Sequence, residues 1–203
     1  MTDYFIDLVR IMLSGVPVYA LARILFLLRR ARKLGAKAGV PKVKLRFHKL
    51  REIFLGLFVI FIMALLVFVW QGEYHSPRTM LQIARFRLQT REGMNLVPFH
   101  TIQNYYRVYG VHGGAFGINV LGNILMFVPW GFGLALLWEK NRSLPKLFTY
   151  SAAFPILIEC TQLFIWRQVD VDDLILNFLG GMLGGFLYLL LARLWPRLRT
   201  LAL

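Results

Sequence analysis

A single cysteine, Cys160, stands in 203 residues. No intrachain disulfide can form, and one thiol inside an apolar run reads first as a small hydrophobe. Acidic residues are scarce, with 10 Asp and Glu against 24 Lys and Arg, a formal net charge of +14. In a soluble chain that imbalance would raise nucleic-acid binding, but no recognition motif accompanies it, so nucleic acid is set aside as a partner. Also missing are an internal repeat, a low-complexity tract, and any recognised nucleophile or metal-ligand signature. The start, Met1-Thr2-Asp3-Tyr4, lacks the basic region that opens a secretory signal peptide, so the first helix is expected to be retained.

Apolar residues are abundant instead. They make up 58% of the chain, against about 45–50% in soluble domains. They fall in runs that approach the roughly 20 residues a spanning helix needs. Residues 53–71, 116–138, 147–166 and 174–195 qualify. Residues 5–28 count as a fifth run although they carry Asp7, Arg10 and Arg23, because both arginines can snorkel towards the interfaces. The fold predicted is all-α: a polytopic helical membrane bundle of about five transmembrane helices with a short outer interfacial helix. Residues 1–52 are read as an N-terminal transmembrane helix with a basic linker, 53–195 as the helical membrane core, and 196–203 as a basic tail.

Charge orients the bundle. Residues 29–51 hold ten Lys and Arg and no acid, which places them in the cytoplasm by the positive-inside rule. The connections then alternate: N-terminus outside, 72–115 outside, 139–146 inside, 167–173 outside and C-terminus inside. The acidic loop with Asp170, Asp172 and Asp173 falls outside, and Arg193, Arg197 and Arg199 fall inside. Within the outer segment, residues 78–91 read as a short amphipathic helix, with Arg78, Gln82, Arg85 and Gln89 on a polar stripe and Leu81, Ala84 and Leu88 on an apolar one. Such a helix suits the outer interface or a face of the bundle. Asn95-Leu-Val-Pro-Phe follows as a shaped loop, with Pro98 biasing Val97 to extended geometry.

Polar residues inside the apolar runs are the candidate site. Asn119 and Asn123 share a helix face, and Pro129 is expected to kink that helix. Glu159 and Gln162 share a face of the next helix. Asp172 and Asp173 suit the cap and first turn of the last helix, and Asn177 follows Asp173 by four. Gly180, Gly181, Gly184 and Gly185 form two overlapping small-residue patterns that let helices approach closely. Asparagines in such bundles commonly serve only interhelical hydrogen bonding. Counting rise along each helix, however, puts Asn123 and Glu159 both roughly 10 Å below the outer surface. An ionisable residue at that depth is costly and marks a functional site by default.

Taken in order, Asn95-Leu-Val-Pro-Phe, Asn119-x-x-Gly-Asn-x-x-x-Phe-x-Pro-x-Gly131, Glu159-x-x-Gln162 and Arg167-x-x-Asp-x-Asp-Asp-x-x-x-Asn-x-x-Gly180 resemble the VanZ-like family, associated with resistance to teicoplanin-type glycopeptide antibiotics. The resemblance covers roughly residues 53–195. It implies a compact helical domain in the bacterial cytoplasmic membrane and no particular reaction.

Two functions compete. In the first, an extracytoplasmic-facing polar site engages membrane lipid, a lipoglycopeptide or a lipid-linked envelope polymer, and so influences glycopeptide susceptibility or envelope handling. Asn95, Asn119, Asn123, Gln162, Arg167 and Asn177 are the ligand-binding candidates. In the second, the chain is an intramembrane enzyme acting on a lipid headgroup or polyprenyl-linked precursor. Glu159 is then general acid or base, with Asp170 and Asp173 as further catalytic candidates. Asp170, Asp172 and Asp173 could hold a divalent cation through oxygen ligands. A transporter reading lacks the repeats that would support it.

Overall fold

The computed structural model describes residues 17, 20–21, 23–25, 49–70, 76–109 and 114–201. The chain forms two units, Met1–Phe68 and Val69–Leu203. Most of residues 5–28 and the basic linker lie outside the described residues.

In the first unit, α1 (Lys49–Val69) is an uninterrupted apolar helix. Glu52, in its first turn, accepts from Arg23 Nε at 2.8 Å and Nη2 at 2.6 Å. Arg23 is thus held in a two-pronged ion pair at the start of α1, the geometry that suits a guanidinium and a carboxylate.

The second unit begins with α2 (Pro77–Thr90). Ser76 caps it by accepting from Thr79 N, and Pro77 occupies the first turn, where its missing N–H costs nothing. A turn leads to β1 (Met94–Asn95) and then α3 (His100–Tyr109), a helix not expected from the sequence. Next come α4 (Gly114–Leu137), a 3-10 turn at Glu139–Asn141, and α5 (Leu144–Gln162). β2 (Val169–Asp170), α6 (Val171–Leu194) and a 3-10 segment at Pro196–Leu201 complete it. β1 and β2 pair in parallel, with Met94 opposite Val169 and Asn95 opposite Asp170.

Three of the described helices are long and apolar enough to cross a membrane: Lys49–Val69, Gly117–Leu137 and Val171–Leu194. The fourth expected span forms a helix in the right place but is not among them. It ends at Gln162 and gives way to turns over 163–166, leaving Lys146 and Glu159 on a 19-residue element.

The pairing of α4 with α6 is set by the glycines. A Cβ on Gly184 would stand 1.9 Å from Val128 O, and one on Gly180 would stand 2.1 Å from Ile124 O. Backbone therefore lies on backbone, and the contacts advance together along both helices, so α4 and α6 run parallel. On the other flank, Gly181 faces Ser151 and Gly185 faces Leu147, which makes α5 antiparallel to α6. Phe132 packs edge-on against Tyr188, and Trp130 stacks on Phe154. Both Pro129 and Pro155 sit inside helices that continue past them.

Burial is inverted relative to a water-soluble protein. Ile118 is 75% exposed and Leu125 62%, whereas Arg87 is 1% and Asp172 0% exposed. Large aliphatic groups that face outward suit a hydrocarbon surround, and the polar groups gathered inward are those lipid cannot solvate.

The residues of the expected amphipathic stripe on α2 divide differently. Ile83, Ala84 and Arg87 form its buried face, while Leu81 and Leu88 of the expected apolar stripe are exposed together with Phe86. The helix therefore packs on its own unit with one face and offers apolar side chains outward with another.

Candidate functional site at the α5 to α6 turn

The β1–β2 pair brings the Asn95 loop beside the acidic loop, and capping then fixes the aspartates. Asp170 is the N-cap of α6: its Oδ1 accepts from Asp172 N at 2.9 Å and from Asn95 Nδ2 at 2.8 Å. Its Oδ2 accepts from Thr101 Oγ1 at 2.6 Å. Asp172 caps a different helix. Its Oδ1 accepts from Phe99 N and its Oδ2 from Ile102 N at 3.1 Å, so both oxygens serve the start of α3. A carboxylate meets free amides and the positive end of a helix dipole in both cases.

These roles bear on the expected divalent cation. Asp170 and Asp172 spend their oxygens on N–H and O–H donors, and among the described residues no group of three or more His, Cys, Asp or Glu is placed to hold a metal ion. The three aspartates are neighbours in sequence, but capping sends two of them to different helix ends.

Asp173 and Glu159 are left with less. Asp173 Oδ1 accepts from Asn123 Nδ2 at 2.6 Å, joining α4 to α6. Glu159, buried on α5, accepts from Asp170 N at 3.1 Å through Oε2. The second oxygen of each has no hydrogen-bond partner among the described residues. The two carboxylates act on each other electrostatically, and Arg167 acts on both. Arg167 is half-buried, and its guanidinium makes no ion pair among the described residues. Asn177 lies one turn beyond Asp173 on the same face of α6, buried, with its Oδ1 unpartnered. Gln162 is buried near the end of α5, and Asn119 stands one turn before Asn123. Asn123 thus meets α6 at Asp173, and Asn177 lies a turn further along that helix.

Sequence reasoning missed Arg87. Its Nη1 donates to Gln162 O at 2.8 Å and Ile165 O at 2.7 Å, its Nη2 to Gly93 O at 2.6 Å, and its Nε to Glu92 O at 3.2 Å. A cation at the carbonyl end of α5 meets the negative pole of that helix. The same fork ties down the turn that leads into β1. Burial lowers the Arg87 pKa from its ordinary value, and the nearby Glu159 charge raises it again. The helical spacing did place Arg87 between Ile83 and Ala84 on one side and Arg91 on the other, but only the tertiary packing shows that this face turns inward. Thr101 was missed as well, for want of any sign that the segment after Pro98 is helical. His100 begins α3 exposed, 3.3 Å from Asn104 through Nε2.

Fold and site together define a helical membrane protein with a buried carboxylate–arginine–amide cluster at the turn joining two core helices. Residues 57–192 match the VanZ/LLP1 family, and the chain belongs to it. Among curated proteins it is similar to Protein VanZ of Enterococcus faecium, at 24% identity over 134 residues, which span 66% of this chain and 71% of that protein. No solved structure matches it.

Proposed function

We propose that the cluster of Glu159, Asp173, Arg167, Asn123 and Asn177 takes the polar head of an amphiphile from the outer leaflet, and that by doing so the protein alters the envelope's response to teicoplanin-type glycopeptides or its handling of lipid-linked polymers. The observation that carries this reading is the pair of carboxylates, each holding one oxygen unspent at the same end of a membrane bundle, beside an arginine with no ion pair. Exposed apolar side chains lie near site residues in sequence: Trp166 beside Arg167, and Leu96, Val97 and Phe99 in the loop after Asn95. The basic segment 29–51 supports an outward-facing site through the positive-inside rule. The name of the E. faecium relative motivates the choice of antibiotic.

The test is susceptibility. Expression of the chain in a sensitive Gram-positive host is expected to shift the teicoplanin response, and Glu159→Gln or Asp173→Asn is expected to abolish the shift at unchanged protein level. A shift that survives both substitutions removes these residues from the function.

One observation favours an enzymatic alternative. Two interacting carboxylates in a water-poor setting are the arrangement in which one can hold a proton for the other's benefit. In that reading Glu159 serves as general acid or base on a lipid headgroup. Turnover of a labelled headgroup by the purified protein, lost in Glu159→Gln with binding retained, would establish it.

A further inference from the structure

We propose that the head group taken by this site is a zwitterion: a primary ammonium set against Glu159, Asp173 and Asn177, with its neighbouring anionic group on Arg167. This rests on the reading that the site takes an amphiphile, and it adds the chemistry of the head.

The argument is one of unspent donors and acceptors. Of the four carboxylates gathered at this end, Asp172 has both oxygens on α3 amides, and Asp170 is bound by Asn95, Thr101 and Asp172 N. Glu159 and Asp173 have one neutral donor each. A carboxylate has room for about four acceptor contacts, and a buried one stays costly until a cation or further donors arrive. Arg87 lies within electrostatic reach of Glu159 but donates no hydrogen bond to either carboxylate, and four of its N–H groups go to carbonyls of Gln162, Ile165, Glu92 and Gly93. Three acceptors carry no hydrogen bond from a described residue: the second oxygen of Glu159 and that of Asp173, each residue's one bond being made by its other oxygen, and Asn177 Oδ1, which is buried without a partner on a residue 6% exposed. An ammonium offers three N–H donors and no acceptor, which matches that set in number and in kind. A quaternary head offers no donors and cannot satisfy Asn177 at all. A metal ion would need a ligand cluster that is absent among the described residues. Arg167, whose charge reaches both carboxylates, is left with all its side-chain donors for an anion, and a guanidinium is well suited to a phosphate or carboxylate. The ammonium and anion of one head group would thus each meet an opposite charge.

The test uses the full chain in detergent with three lipids of matched acyl chains: phosphatidylethanolamine, phosphatidylcholine and phosphatidylglycerol. Lipid retention is read by native mass spectrometry, and folding by thermal unfolding. Phosphatidylethanolamine is expected to be retained at least about ten-fold over the other two, as charge-assisted hydrogen bonds to an N–H donor require. Asp173→Asn, Asn177→Ala and Arg167→Gln are expected to remove that preference, while Arg85→Gln, on the exposed side of α2, leaves it intact. The headgroup series on the unaltered protein needs no variant to fold. Equal retention of all three lipids, with retention lost in Glu159→Gln, overturns the zwitterion while leaving amphiphile binding standing. No retention of any lipid overturns both. Soluble glycerophosphoethanolamine competing as well as the lipid supports the head-group chemistry and overturns the amphiphile as its source.

Discussion

Replacing Arg87 with methionine removes four hydrogen bonds from a side chain that is 1% exposed while keeping much of its length. Three of the four carbonyls keep another partner: Gln162 O still receives Ile165 N, Ile165 O receives Arg167 N, and Gly93 O receives Val169 N. The loss is therefore chiefly of charge-assisted bonds rather than of orphaned acceptors. At about 1.5 kcal/mol per bond, the low end for charged donors, the four come to roughly 6 kcal/mol. Methionine returns about 2 kcal/mol through apolar burial, leaving a net cost of about 4 kcal/mol. For a chain of this size that corresponds to a fall in Tm of roughly 8–16 °C. Arg87→Lys keeps the charge but presents its donors from a single point, so it should recover only part of the loss. Thermal unfolding of the purified protein in one detergent, followed by circular dichroism, measures all three proteins. A shift of less than about 2 °C for Arg87→Met would refute the reasoning, because it would mean that the guanidinium is not what joins α2 to the end of α5.

Gly184→Val places a side chain where a Cβ already stands 1.9 Å from Val128 O, so α4 and α6 must separate; stability should fall by about 3 kcal/mol or more in the same assay. Asp172→Ala removes both caps of α3, and the amides of His100–Tyr109 should then exchange with deuterium at least about ten-fold faster, with the exchange of α6 changed less. Asn123→Ala breaks the 2.6 Å bond to Asp173 and should cost about 1–3 kcal/mol; an unchanged Tm would show that α4 and α6 are joined by their glycines alone. A cysteine placed at Ala36, in a variant lacking Cys160, should react with a membrane-impermeant reagent only after cells are opened; reaction in intact cells reverses the orientation drawn from charge.

The main helices and the residue types of the site were legible in the chain itself, because local forces write them there. Runs of apolar residues long enough to cross a bilayer can only satisfy their backbone as helices, so α1, α4 and α6 follow from composition and length. Small residues at spacings of four announce close helix contact before any partner is known, and Gly180 and Gly184 meet α4 as that pattern requires. Glu159 and Asn123 stood out because polarity inside an apolar run is costly wherever the run is placed.

What each carboxylate does was decided elsewhere. Asp170, Asp172 and Asp173 are alike in sequence, but the β1–β2 pairing carries one to the Asn95 loop, a helix start 73 residues away claims another, and Asn123 on α4 takes the third. The helix His100–Tyr109 starts at a cap supplied from α6, which no local pattern announces. Arg87 reads as one of several cations on a polar helix until the end of α5 is packed against it. Hydrophobic length and periodicity are properties of a segment. The partner of a buried charge is a property of which segments meet, and that depends on contacts 70 and more residues apart along the chain.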